Sequence, residues 1–101
     1  MKRLLISLAA GLALTAAAAT PSLAQSTLDK IKAGGHIICG TSEGVPGFSL
    51  QDKNGVWHGF DTDVCRALSA AIFNDPDKAT YLPLSSKNRL VALQAGEIDV
   101  L

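Results

Sequence analysis

Apolar and polar positions alternate most regularly in GFDTDVCRALSAAIF, residues 59–73. Val64, Leu68, Ala71 and Ile72 recur at the spacing of one helical face, Ala67 widens that face, and Cys65 follows its border with Leu68 and Ile72. The pattern predicts an amphipathic helix that buries this face. Asp61 and Thr62 are capping residue types ahead of it, Asp63 puts negative charge into the first turn, where the macrodipole favours it, and Asn74, Asp75 and Pro76 close it. Upstream, HIICGT carries an unbroken apolar run that suits a strand covered on both faces, as in a parallel sheet. Before it, Ser26 and Thr27 can cap a short helix over residues 28–32, which Gly34 and Gly35 stop. Residues 48–51 and 56–60 flank Asp52, Lys53, Asn54 and Gly55, the pattern of a hairpin with an Asn-Gly turn. Trp57 in that hairpin reads as packing on a neighbouring strand rather than as a ligand-stacking ring. Residues 79–84 give a second strand, and Ser85 and Ser86 offer caps for a second helix over residues 87–95. That helix has a modest apolar face of Leu90, Ala92 and Leu93 and a stop at Gly96. Residues 98–101 begin a third strand.

Strands alternating with helices imply right-handed βαβ units and a mostly parallel sheet, an α/β class. A chain that stops inside its own strand, with too few elements to cover both sheet faces, is expected to be a fragment. The first residues add an address. Lys2 and Arg3, an apolar, alanine-rich run over residues 4–19, and the small-x-small site Ser22, Leu23, Ala24 predict a cleavable signal peptide, residues 1–24, leaving Gln25 as the new terminus, with a single membrane anchor as the alternative, for which the run is short and weakly hydrophobic. The whole chain has 9 basic and 9 acidic residues; without Lys2 and Arg3 the balance is 7 against 9, a net charge of −2. There is no basic patch, which argues against a nucleic-acid partner. Export also changes the meaning of the two cysteines: Cys39 and Cys65 both stay in the exported part, and an even count in an oxidising space points to a disulfide, with two separate buried thiols as the alternative. A metal site made with His36 and His58 fits poorly, since His36 and Cys39 on one strand point to opposite faces.

The residues carry little catalytic chemistry. Asp61 and Asp63 diverge at a helix start, so capping and dipole roles suit them better than acid/base work, and neither a phosphate-binding glycine pattern nor a nucleophile elbow is present. Two stretches fit binding instead. SEGVPGF follows the carboxyl end of the first strand, where open α/β sheets bind ligands, although a plain connection explains it equally well. SSKNR, residues 85–89, lies between a strand and a helix start, where backbone N–H groups and the dipole favour anions. Arg89 is unfavourable with that dipole, which suits a bidentate grip on a carboxylate; a solvated surface arginine is the alternative.

The succession TLDKIKAGG, HIICG, PGFS, GFDTDVCRALSAAIF and LPLSSKNRLVALQAGEIDVL resembles the bacterial extracellular solute-binding proteins of family 3, the periplasmic receptors of polar amino acid ABC importers. Within them it is most similar to the general L-amino acid-binding type, which also carries cysteines after the first strand and in the GFD helix. The resemblance implies a periplasmic-binding-protein-like fold of type II, with residues 25–101 forming the N-terminal part of lobe 1 and a second lobe beyond Leu101. It implies a polar L-amino acid held between the lobes by Thr41, Ser42, Glu43 and Phe48, and by Ser86 and Arg89 of an SxxR segment. The partners it implies are membrane permease subunits, with no cofactor and no metal. Ser69 departs from the usual apolar or small residue of the helix, which predicts slightly looser packing. Similar proteins also include periplasmic enzymes resembling cyclohexadienyl dehydratases, for which Glu43 is the one acid/base candidate, and ligand-sensing domains. A complete small secreted protein acting by interaction is the remaining alternative.

Overall fold

The computed structural model describes residues 26–101. The signal-peptide expectation, residues 1–24, lies outside the described residues. Helix α1, Thr27–Gly34, starts at a reciprocal cap: the Asp29 N–H donates to Ser26 Oγ at 3.1 Å, and that hydroxyl donates to the Asp29 carboxylate at 2.7 Å. It ends at Gly35, whose N–H reaches the carbonyls of Ile31 and Lys32. The expected capping and stop are both present.

Strand β1, Ile37–Thr41, is the central strand. On one edge it pairs in parallel with a later strand, Ala79–Pro83, so that Cys39 stands opposite Tyr81 and Thr41 opposite Pro83. On the other edge the expected third strand is reduced to a single parallel bridge, Cys39 to Val100, with the Gly40 N–H donating to the Val100 carbonyl at 2.9 Å. Ile37, Cys39 and Thr41 are buried and the residues between them half-buried. Leu84, Ile98 and Leu101 converge over Gly40 so closely that a Cβ there would lie 2.6 Å from Ile98 Cδ1 and 3.0 Å from Leu101 Cδ1.

The hairpin forms as short strands β2, Leu50–Gln51, and β3, Trp57–His58, around the Asn-Gly turn. Asp52 organises that turn: its carboxylate accepts from the N–H groups of Asn54 at 2.8 Å and Val56 at 3.0 Å and lies 2.9 Å from His58 Nε2. Trp57 packs on Tyr81, ring centroids 6.0 Å apart, which fits its structural reading.

Helix α2, Phe60–Phe73, corrects two expectations. Its first turn is not capped by Asp61 or Thr62: the capping position is Gly59, at φ 126°, and the Thr62 hydroxyl turns back to donate to the Gly59 carbonyl at 2.8 Å. The leading N–H groups are satisfied by the loop ahead of the hairpin instead, Phe60 by the Gly47 carbonyl and Asp61 by that of Phe48, both at 3.0 Å. A Cβ at Gly59 would collide with the Phe48 carbonyl, so close approach and positive φ both select glycine. The buried face is also different. Thr62, Cys65 and Ser69 are buried, whereas Val64 and Leu68 remain 46% and 38% exposed. A disulfide joins Cys65 to Cys39 of β1 and turns the helix so that this edge, rather than the Val64–Leu68 stripe, meets the sheet. Ser69 loosens nothing there, because its Oγ donates to the Asp75 carbonyl at 2.7 Å. Ile72 and Phe73 complete the packing against a core of Ile31, Ile37, Cys39 and Cys65, joined by Ala79, Tyr81 and Val100.

Strand β4 is Ala79–Pro83, and helix α3, Arg89–Ala95, starts two residues later than expected. Ser85 and Ser86 do not cap it: the Ser85 carbonyl accepts from the N–H groups of both Asn88 and Arg89, making a turn out of SSKN. Only Ala92 of its apolar positions is buried, while Leu90 and Leu93 are exposed. Beyond it, Asp99 fastens the chain. Its Oδ2 accepts from the Ile38 N–H at 2.8 Å and its Oδ1 lies 3.2 Å from Lys30 Nζ, which in turn donates to the Gly96 carbonyl at 2.9 Å.

Candidate ligand-binding cavity

At the carboxyl end of β1 lies a cavity of about 370 Å³. Its upper part is polar, formed by Thr41 and Ser42 at the end of β1, Asp61 in the first turn of α2 and Arg89 at the start of α3, with Phe60 beside them. Its floor is apolar: the Cys39–Cys65 disulfide, Gly40, Val64, Leu68, Val100 and Leu101. The parallel pairing of β1 with β4 makes this arrangement, because it brings the residues that follow two neighbouring strands to the same edge of the sheet.

Two side-chain atoms of residues that line this cavity, Thr41 Oγ1 and Arg89 Nε, are buried without a hydrogen-bond partner among the described residues. Buried polar groups are nearly always paired, and an orphan costs about 1–3 kcal/mol. Ser42 is half-buried, and its carbonyl accepts from Ser49 Oγ at 3.2 Å and from the Gly44 N–H at 2.9 Å, which holds the loop after β1 in place. The Asn88 and Arg89 amides expected to attract anions are occupied by Ser85, so the positive potential comes from the Arg89 side chain. Beneath the cavity, burial raises the Tyr81 hydroxyl above its ordinary 10.0; it stays neutral and donates to the Thr62 carbonyl at 3.3 Å.

Of the six ligand residues expected from sequence, Thr41, Ser42 and Arg89 are brought together in the cavity lining. Glu43, Phe48 and Ser86 are exposed and lie outside that lining. Phe60 and Asp61 line the cavity and were not among those expected. Their signal was present in GFD: an aromatic and a carboxylate directly after a glycine, at a helix start that faces the sheet edge.

Residues 37–101 match the bacterial extracellular solute-binding proteins, family 3. This chain belongs to that family. Across all 101 residues it is 46% identical to the general L-amino acid-binding periplasmic protein AapJ of Rhizobium johnstonii, covering 29% of that protein. Over 76 residues it is 51% identical to the glutamate/glutamine/aspartate/asparagine-binding protein BztA of Rhodobacter capsulatus, 75% of this chain and 22% of the relative. Among solved structures, an ABC transporter periplasmic binding protein from Brucella ovis with glutathione bound superposes with a TM-score of 0.71 at 46% identity, over 72% of this chain and 23% of that one. The family 3 fold of this chain is thus the type II periplasmic binding fold. The chain spans less than a third of the length of these family 3 relatives.

Proposed function

We propose that this chain forms the first part of the ligand-binding lobe of a periplasmic receptor for polar L-amino acids, which passes its ligand to the membrane permease subunits of an ABC importer. The observation that carries the reading is that one cavity is lined by both Thr41 and Arg89, the residues whose Oγ1 and Nε are left without a partner among the described residues. An amino acid offers what they lack: a carboxylate for the guanidinium and further polar atoms for the hydroxyl. Thr41, Ser42 and Arg89 hold the ligand from this side, with Phe60 against it. Glu43, Phe48 and Ser86 meet the ligand only when a second lobe closes over the cavity. A signal peptide over residues 1–24 takes the protein to the periplasm, and residues 25–101 are the N-terminal part of lobe 1. AapJ and BztA, named as amino acid-binding proteins, support binding rather than catalysis.

Calorimetric titration of the full-length protein with L-glutamate, L-glutamine, L-aspartate and L-leucine tests this, with Arg89→Ala alongside. The expected result is binding of a polar member of the panel, weakened by about tenfold to a hundredfold in the variant, the size of a lost charge-assisted hydrogen bond. Absence of binding to every member overturns the receptor reading.

A further inference from the structure

The two ends of α2 are attached to the sheet by different means. Its carboxyl-terminal half packs through Ile72 and Phe73. Its amino-terminal half, which walls the cavity, leaves Phe60 65% and Val64 46% exposed. There the Phe60 and Asp61 N–H groups donate to the Gly47 and Phe48 carbonyls and the Tyr81 hydroxyl to the Thr62 carbonyl, while the covalent link from helix to β1 is the Cys39–Cys65 disulfide, which lines the cavity. The bridge spans 26 positions, and the enclosed segment contains Thr41, Ser42, Phe60 and Asp61, that is, the polar wall of the cavity apart from Arg89.

We infer that the Cys39–Cys65 disulfide is a positioning device for the ligand cavity, which sets the distance between the end of β1 and the start of α2. This rests on the receptor reading of that cavity. A dithiol reductant supplies the electrons: one of its thiolates attacks a cysteine sulfur, the S–S bond breaks, and the departing cysteine thiolate takes up a proton. The second thiol of the reductant then closes on the mixed disulfide, releasing the other cysteine, so that two electrons pass to the protein and the reductant leaves as a disulfide. With the bridge open, the packed carboxyl-terminal half of α2 keeps its place and the cavity end moves. Coupling of this kind is reciprocal, so a ligand in the cavity protects the bridge from reduction by the same factor by which reduction weakens the ligand.

The test uses the full-length protein in three forms: oxidised, reduced with dithiothreitol, and Cys39→Ala combined with Cys65→Ala. Each is titrated with L-glutamate and followed by hydrogen exchange. The expected result is affinity about tenfold weaker in the reduced and variant forms. Exchange should become faster at residues 41–44 and 60–64, with residues 37–39 and 70–73 still protected and circular dichroism unchanged. Affinity and exchange that match the oxidised form overturn the inference. So does global unfolding on reduction, which assigns the bridge to folding alone. If the oxidised protein takes no L-glutamate, the receptor reading fails for that ligand, and the exchange comparison alone decides the inference.

Discussion

On the side of the sheet that carries α1 and the segment after α3, polar groups find partners within the chain, whereas at the carboxyl end of β1 they do not. The buried Ile38 N–H is taken by Asp99, and the Asp99 carboxylate is compensated by Lys30. Oδ1 of Asp99 accepts no hydrogen bond among the described residues, but the Lys30 ammonium at 3.2 Å offsets its charge. At the cavity, Thr41 Oγ1 and Arg89 Nε are buried with no partner among the described residues, and Val64, Leu68 and Leu101 stay half in solvent. One region spends its polar groups on stability. The other leaves two side-chain atoms without a partner among the described residues.

If this contrast is right, the largest effect should come from the joint between the two regions. Gly59→Ala forces a Cβ against the Phe48 carbonyl at a φ of 126°, and since backbone meets backbone there, nothing flexible can yield. A loss of about 3 kcal/mol in denaturant unfolding is expected, with a tolerated substitution refuting the described approach of the loop ahead of the hairpin to the helix. Asp99→Ala comes next: it orphans the Ile38 N–H and should cost about 2 kcal/mol, while Asp99→Asn, which keeps an acceptor, should cost clearly less.

Arg89→Ala should reverse the order of effects. Because its Nε has no partner to lose, unfolding free energy should change by no more than about 0.5 kcal/mol even where binding collapses. A strong destabilisation would place Arg89 with the structural region instead. The smallest effect concerns the hairpin. The His58 side chain, with the Val56 and Asn54 N–H groups, holds the Asp52 carboxyl below its ordinary 3.8. A depressed folded pKa contributes stability that is present above the unfolded value and lost as pH falls through the folded one. The Asn54 and Val56 amide resonances should therefore shift on acidification below the ordinary pKa of 3.8, and Asp52→Asn should abolish the shift.

Much of the fold was legible because local chemistry and global packing agreed. Ser26 and Gly35 bracket α1, the Asn-Gly turn sets the hairpin, and the apolar run of residues 37–39 makes the central strand. The failures came where a partner distant in sequence decided. Periodicity aims α2 by Val64 and Leu68, but a covalent bond to Cys39 overrides it and buries Cys65 and Ser69. Capping propensity at Asp61 and Thr62 yields to carbonyls delivered by the loop ahead of the hairpin, and at Ser85 a turn uses the N–H groups that a cap would have served. Of the cavity, Arg89 could be expected from a misplaced charge, and Thr41 and Ser42 from the family resemblance. Phe60 and Asp61 enter it only because α2 starts earlier than its apolar pattern does.

Gly40 has a consequence for the size of the cavity. Over it meet Leu84, Ile98 and Leu101, three branched side chains that leave no room for even one methyl group. Gly40 and Leu101 also belong to the cavity floor. The floor therefore rests on a strand that is, at that point, only as thick as its backbone. Its level is set by a side chain that is missing, and any atom added at Gly40 must be taken from the sheet packing, the ligand space or both.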